Sequence, residues 1–181
     1  MDQVFAPWRI EWVEREDKNE EFSDCVFCEL LDRSDDREHL LLARGDHAYV
    51  LLNNYPYNPG HVMVIPHQHT GDYTALDDAS LRSKERLIQR AMTAMNDAFA
   101  PDGYNVGYNL GGSAAGGSID DHLHAHVVPR WHGDTNFMAT ISETKVIVEA
   151  VRETYDRLHE AFRSQTNVDW TDEDGAVIVA E

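Results

Sequence analysis

The chain has 181 residues, 42% of them hydrophobic, and a formal net charge of −18 from 33 acidic and 15 basic residues. That length and apolar content suit one domain with a real core. So acidic a surface excludes a nucleic-acid binder at ordinary ionic strength, because phosphate backbones are met by Lys and Arg, and no apolar run of membrane-spanning length occurs.

The N-terminus, Met1-Asp2-Gln3-Val4, has no basic stretch followed by an apolar one, so it does not read as a signal peptide and a cytoplasmic location is expected. Up to about Asp24 the chain is polar and acidic, with Trp8, Ile10 and Trp12 alternating as in a short strand or clamp. Cys25 and Cys28 follow, and Asp32 to Glu38 is a charged loop. Ala48 to Leu52 and His61 to Ile65 read as strands, joined by a turn-rich segment and stopped by Pro66, which argues for an antiparallel pair. A helix capped by Thr74 or Asp77 carries Leu81, Ile88, Met92, Met95 and Phe99 at helical spacing, with Arg82, Arg86 and Arg90 toward solvent. It ends at Pro101-Asp102-Gly103. Tyr104 to Leu110 reads as a strand, Gly111 to Ser118 as a glycine-rich loop, and His122 to His126 as a further strand. Val146, Ile147, Ala150, Val151, Tyr155, Leu158 and Phe162 suggest a second helix, and Thr166 to Glu181 is mostly acidic. The class is α+β, an antiparallel sheet with helices grouped on it.

Lys is scarce, with only Lys18, Lys84 and Lys145, while the acids spread along the whole chain. This composition reads as halophilic. A screening length near ~3 Å at about 1 M salt would let so acidic a surface admit an anionic substrate.

The informative feature is His122-Leu123-His124-Ala125-His126. In an extended strand the three imidazoles line one face. Beside a backbone rich in N–H donors they suggest phosphate chemistry or a metal site. A neutral imidazole is a competent nucleophile toward phosphorus near neutral pH, a neighbouring one can donate to substrate oxygens, and glycine-loop N–H groups can meet developing negative charge. Alternating histidines are also good zinc spacing. Cys25-x-x-Cys28 fits a zinc knuckle or a redox pair; two thiolates need two more ligands, for which His67, His69 and His122 are candidates.

These residues closely resemble the histidine triad family, whose pattern is His-x-His-x-His followed by two apolar residues, as in His122 to Val128. Asn53, Pro59-Gly60-His61-Val62, Asn109, Gly111 and Gly116-Gly117-Ser118 fall in family order, and the likeness runs from about Phe22 to Met138. Pro129 to Phe137 looks like the prokaryotic branch related to diadenosine polyphosphate hydrolases and phosphorylases.

The resemblance implies a homodimer with a five-stranded antiparallel sheet and two helices in each subunit. It implies residues 1–21 as an acidic extension, 22–140 as the triad domain, 141–165 as a helix packed on it and 166–181 as an acidic tail. It also implies a nucleotide-binding enzyme that cleaves dinucleoside polyphosphates or related conjugates at the α-phosphate. His124 is like the family nucleophile, and His126 like the residue contacting the α-phosphate and bridging oxygen. His61 is like an outlying histidine supporting the nucleophile, Asn53 like the ribose holder, and Asn109, Gly117 and Ser118 like phosphate neighbours. Some prokaryotic members carry structural zinc on a set that corresponds here to Cys25, Cys28, His69 and His122. The nucleotidylyltransferase branch has glutamine where this chain keeps His126. A nucleoside phosphoramidate hydrolase and a non-catalytic nucleotide sensor are the competing readings. Phe22, Phe27, Val50 or Leu52 would form an apolar wall for the base.

Overall fold

The computed structural model describes residues 25–115, 119–134 and 149–180. Its central strands come from the most apolar stretches of the chain. β1 (Leu41–Arg44), β2 (Ala48–Leu52) and β3 (Val62–Pro66) run antiparallel, with Ala48 opposite Pro66 and Leu52 opposite Val62. Every residue of β2 is buried, as befits a strand covered on both faces. β4 (Gly103–Gly107) and β5 (Ala125–Arg130) pair antiparallel, and β5 also pairs antiparallel with β3.

Among the described residues, three helices accompany the sheet. The short α1 (Val26–Asp32) is tied to β2 by the Tyr49 hydroxyl, which donates to the Phe27 carbonyl at 2.7 Å. α2 (Asp78–Phe99) starts where Asp77 accepts from the Ser80 N–H at 2.7 Å, so Asp77 is its cap, while Thr74 lies in a separate 3-10 turn, Tyr73–Ala75. α2 packs on β2, β3 and β5; α3 (Val151–Arg163) packs on β1 and α2. Val146 and Ile147, expected at the start of that last helix, lie outside the described residues, as do Trp8, Ile10 and Trp12.

The structure corrects the expected five-stranded antiparallel sheet with two helices. Among the described residues the sheet has seven strands, in the order β4-β5-β3-β2-β1-β7-β6, and it is mixed, because β7 (Val177–Val179) runs parallel to β1. β6 (Val168–Asp169) completes a hairpin with β7. The reason lies in a handful of apolar residues set among acids. Ala176, Val177 and Val179 are buried, and buried Asp36, held by Arg44, accepts from the Ala176 N–H at 2.9 Å. The extra helix is α1, formed in the segment between the cysteines and the charged loop.

Several strand limits also differ from the sequence reading. β3 starts at Val62 rather than His61 and takes in Pro66, which pairs with Ala48 instead of stopping the strand. β4 ends at Gly107, leaving Asn109 and Leu110 beyond the sheet. The hydrogen-bonded part of the histidine segment begins only at Ala125, because the Leu123 N–H donates sideways to the Thr70 carbonyl at 2.8 Å.

Candidate active site and metal centre

Each ring of the histidine segment is oriented by a partner of fixed polarity, and that polarity sets where the ring proton sits. A backbone carbonyl can only accept, so the ring nitrogen facing it carries the proton. His122 Nε2 donates to the Pro66 carbonyl at 2.8 Å, which leaves its Nδ1 as a lone pair. His124 Nδ1 donates to the His122 carbonyl at 3.0 Å, which leaves the lone pair on Nε2. His124 is only 8% exposed, and burial pulls its pKa below the ordinary imidazole value, the His122 carbonyl offsetting only part of this. The ring is therefore neutral at pH 7, with an unprotonated Nε2.

His126 is set from the opposite direction. The Tyr57 N–H, which can only donate, points at His61 Nδ1 at 3.1 Å. Neutral His61 thus carries its proton on Nε2 and passes it toward His126 Nδ1 at 2.9 Å. His126 in turn presents a protonated Nε2, the inverse of His124. The rings of His124 and His126 meet edge to face, 4.9 Å apart. His61 is completely buried and stacked on the Tyr57 ring at 4.9 Å and 11°. The turn before it is fixed by Asn58, whose amide donates to the Pro129 carbonyl and to Asp134. At Gly60, with φ +85°, a Cβ would press on Phe99 and Pro129 at 3.1 and 3.3 Å, so the close approach of this turn to α2 and β5 requires glycine.

On the other side of His122 stands a group of four metal-type donors. Cys25, Cys28, His69 and His122 bring one ligand atom each to within 4.8 Å of one another. The His122 Nδ1 lone pair faces Cys25 Sγ at 3.3 Å and Cys28 Sγ at 3.6 Å, and His69 Nδ1 is 3.2 Å from Cys28 Sγ. Tetrahedral zinc with two sulfurs and two nitrogens needs such separations, about 3.3–3.8 Å between ligand atoms. Burial first, and then Cys25, push the Cys28 thiol up to about 11, a penalty that a bound dication reverses. The donor set, the available His122 nitrogen and its carbonyl-bonded second nitrogen all fit a metal. His67, the remaining candidate from the sequence, is not in the group; its Nε2 is buried without a hydrogen-bond partner.

The other expected site residues divide. Asn53 is buried, its Oδ1 accepting from the Tyr55 N–H at 2.8 Å, which fixes the amide at the end of β2. Asn109 places its amide 3.5 Å from His126 Nε2. Gly117 and Ser118 lie outside the described residues, as do Phe22 and Phe137. Val50 is 0% exposed and belongs to the core, with Leu52 beside it, so neither lines an open wall. Phe27 instead packs on the rings of His122 and His124, at 5.5 and 5.2 Å. Arg130 is committed to a bidentate pair with Asp134, at 2.5 and 2.9 Å. His132 bonds Asp102, and His39 bonds Asp35 and Arg33. Sequence reasoning passed over Tyr57; an aromatic residue in the turn just ahead of Pro59-Gly60-His61 was the available signal.

The sequence matches the HIT domain family over residues 36–133. The chain is 38% identical over 158 residues to an AP-4-A phosphorylase of Mycobacterium tuberculosis, covering 85% of this chain and 80% of that protein. Its fold is similar to a Zn-bound histidine triad family protein from Mycobacterium smegmatis, with TM-score 0.62, 26% identity, and coverage of 77% of this chain and 94% of the other. It is also similar to a hypothetical histidine triad nucleotide-binding protein from Sulfolobus tokodaii, with TM-score 0.59, 28% identity and coverage of 77% and 89%. The fold, the three oriented imidazoles and these likenesses define a histidine triad protein: the chain belongs to the HIT domain family.

Proposed function

We propose that this protein cleaves dinucleoside polyphosphates, or related nucleotide conjugates, at the α-phosphate through a nucleotidyl-histidine at His124. The observation that carries the reading is the hydrogen bond from His124 Nδ1 to the His122 carbonyl, which leaves Nε2 of a neutral, buried ring as the nucleophile. Nε2 donates its electron pair to the α-phosphorus, and the bond from that phosphorus to the bridging oxygen breaks. The positive charge gained by the ring is met by the His122 carbonyl. The leaving polyphosphate departs with its bridging oxygen facing the protonated Nε2 of His126. Asn109 Nδ2 and His126 Nε2, both donors, stand 3.5 Å apart. Two donors this close can converge on one phosphate oxygen standing to the side of both, an acceptor that neither can offer the other. Water or inorganic phosphate then attacks the same phosphorus and releases neutral His124. Asn53, with Oδ1 already engaged, has its Nδ2 to offer a ribose hydroxyl; the proposed roles of Gly117 and Ser118 as phosphate neighbours rest on the sequence alone.

Zinc held by Cys25, Cys28, His69 and His122 would be structural, since four protein ligands leave no open position. It would tie α1 and the segment after β3 to the start of the catalytic strand, fixing the carbonyl on which His124 depends. The protein works as a homodimer in the cytoplasm of a salt-rich cell and takes no nucleic acid. Exposed Val106, on β4 at the sheet edge, and Leu110 just beyond it supply an apolar margin for pairing, which sedimentation at micromolar concentration would check. Among the described residues no helix is long and apolar enough to cross a membrane. The salt expectation is read from thermal melts between about 3 M and about 0.1 M KCl, where a midpoint that does not fall with dilution would remove it.

The function itself is tested by incubating the protein with diadenosine tetraphosphate, ADP and a nucleoside phosphoramidate, each with and without inorganic phosphate, in molar KCl. Phosphate-dependent ADP from the tetraphosphate marks a phosphorylase, and AMP marks a hydrolase. Turnover of the phosphoramidate alone would give the site to the competing amidase reading, and no turnover at all to the sensor.

A further inference from the structure

We propose that Lys84 is a positioning residue for this reaction, a buried cationic pin that fixes where Asn109 stands against His126; the inference rests on the proposed reading of the triad site. Lys84 lies on α2, and its side chain is 0% exposed. A lysine is almost never so enclosed unless its charge is matched. Here the ammonium donates to the Tyr108 hydroxyl and to Glu85 Oε1 at 2.8 Å, and sits over the rings of Tyr108 and Tyr73 at 4.7 and 4.9 Å. The two rings meet edge to face at 5.2 Å. Burial pulls the Lys84 pKa down, but the bonds to Glu85 and Tyr108 more than restore it, so the group stays charged.

The partners lie on both sides of the triad. β4 leaves the sheet at Gly107, which is opposite His126 in the register, and Tyr108 and Asn109 are the next two residues. Anchoring the Tyr108 hydroxyl therefore sets the direction in which the Asn109 amide reaches His126 Nε2. Tyr73 belongs to the stretch that begins at the metal-type ligand His69 and is held to the triad by the Leu123 N–H on the Thr70 carbonyl. Gly71 lies so close to the Asp120 carbonyl that a Cβ there would stand 2.1 Å from it. Lys84 thus closes a ring that runs from His122 through His69, Tyr73, Lys84, Tyr108 and Asn109 to His126. In a chain with three lysines, one is spent on a contact that helix packing does not need, since Leu87, Ile88, Ala91 and Met95 already bury that face of α2.

The test is kinetics on diadenosine tetraphosphate for Lys84→Met, Tyr108→Phe and Asn109→Ala, and for Lys84→Met combined with Asn109→Ala. Lys84→Met removes one partner of the pair, but Glu85 is 62% exposed and stays solvated, so no buried charge is stranded and the variant should fold, at some cost for the Tyr108 hydroxyl it leaves without its donor. A misplaced phosphate-contact group should nevertheless lower kcat about tenfold or more, with little change in KM. Tyr108→Phe keeps the rings and should give a smaller loss in the same direction. In the Asn109→Ala background the Lys84→Met loss should shrink below about threefold, because the positioned group is already gone. Lys84→Met activity within about twofold of wild type, or an equal loss in both backgrounds, would overturn the inference. Should Lys84→Met not fold, Tyr108→Phe, alone and combined with Asn109→Ala, decides by the same two criteria. Wild-type protein inert toward every nucleotide substrate would overturn the triad reading and this inference together, whereas active wild type with unaltered variants would overturn the inference alone.

Discussion

The two ends of the histidine segment use the same side chain for opposite purposes, and what differs is the partner of the second ring nitrogen. At the upstream end His122 gives its proton to the Pro66 carbonyl and turns a lone pair toward two thiols, so it joins the metal-type donors. Two residues on, His124 gives its proton to the His122 carbonyl and keeps its lone pair on Nε2, the nucleophile of the proposed reaction. At His126 the chain from Tyr57 through His61 reverses the polarity and produces a donor. One residue type can thus serve as a ligand, a nucleophile or an acid, and the backbone groups around each ring set which of these it is fitted for.

Breaking the reacting end should have the largest effect. His124→Ala should reduce turnover at least about a thousandfold while nucleotide binding stays within roughly tenfold, because a nucleophile serves the chemical step and little of the ground state. Product formation and calorimetric binding in one buffer read both, and residual activity of a few per cent would remove His124 from that role. Breaking the other end should act on folding first. Cys28→Ser or His69→Ala should lose most of about one zinc per subunit and lower Tm by on the order of ten degrees, since a metal bound only by the native state stabilises it. Elemental analysis with a melt checks this; metal-free wild type prepared without chelator would leave the cysteines as packing residues.

Smaller changes sharpen the contrast. Asn53→Ala should weaken ribonucleotides about tenfold more than 2′-deoxyribonucleotides, the cost of one hydrogen bond to the sugar. Equal losses for both sugars would take the ribose away from Asn53. The smallest effect belongs to the support beneath His61. Arg130 first, then the Trp131 N–H and Asn58, hold the Asp134 carboxyl down at about 2 against the opposing effect of burial. A folded-state pKa below the unfolded value gives stability that is fully present above about 4 and is lost as pH falls toward about 2. Asp134→Asn should therefore cost about 1–3 kcal/mol at neutral pH, and the gap between the two proteins should close across that acid window. Parallel melts that keep a constant gap down to pH ~2 would show that the ion pair does not carry it.

Much of the site was legible because its spacing is local. The alternation of His122, His124 and His126 and the Cys25-x-x-Cys28 pair name the residues that the fold brings together, the antiparallel pair around Asn53–Gly60 reads to within a residue from its turn, and Asp77 is one of the two caps offered. What escaped depends on distant partners. Val177–Val179 is too short for any periodicity, and it becomes a strand because Asp36 and β1 receive it. Lys84 looks like a solvent-facing residue on its helix until Tyr73 and Tyr108 close over it from elsewhere. His61 supports the triad through His126, a direction fixed by a backbone N–H that no side-chain pattern encodes.

The central claim is that His124 becomes covalently nucleotidylated, so that the α-phosphorus is displaced twice. The most direct measurement is the stereochemical course at that phosphorus, using a substrate with a chiral α-phosphorothioate and an isotopically labelled acceptor. Two in-line displacements predict overall retention of configuration. Inversion would mean a single direct attack by water or phosphate and would contradict the account.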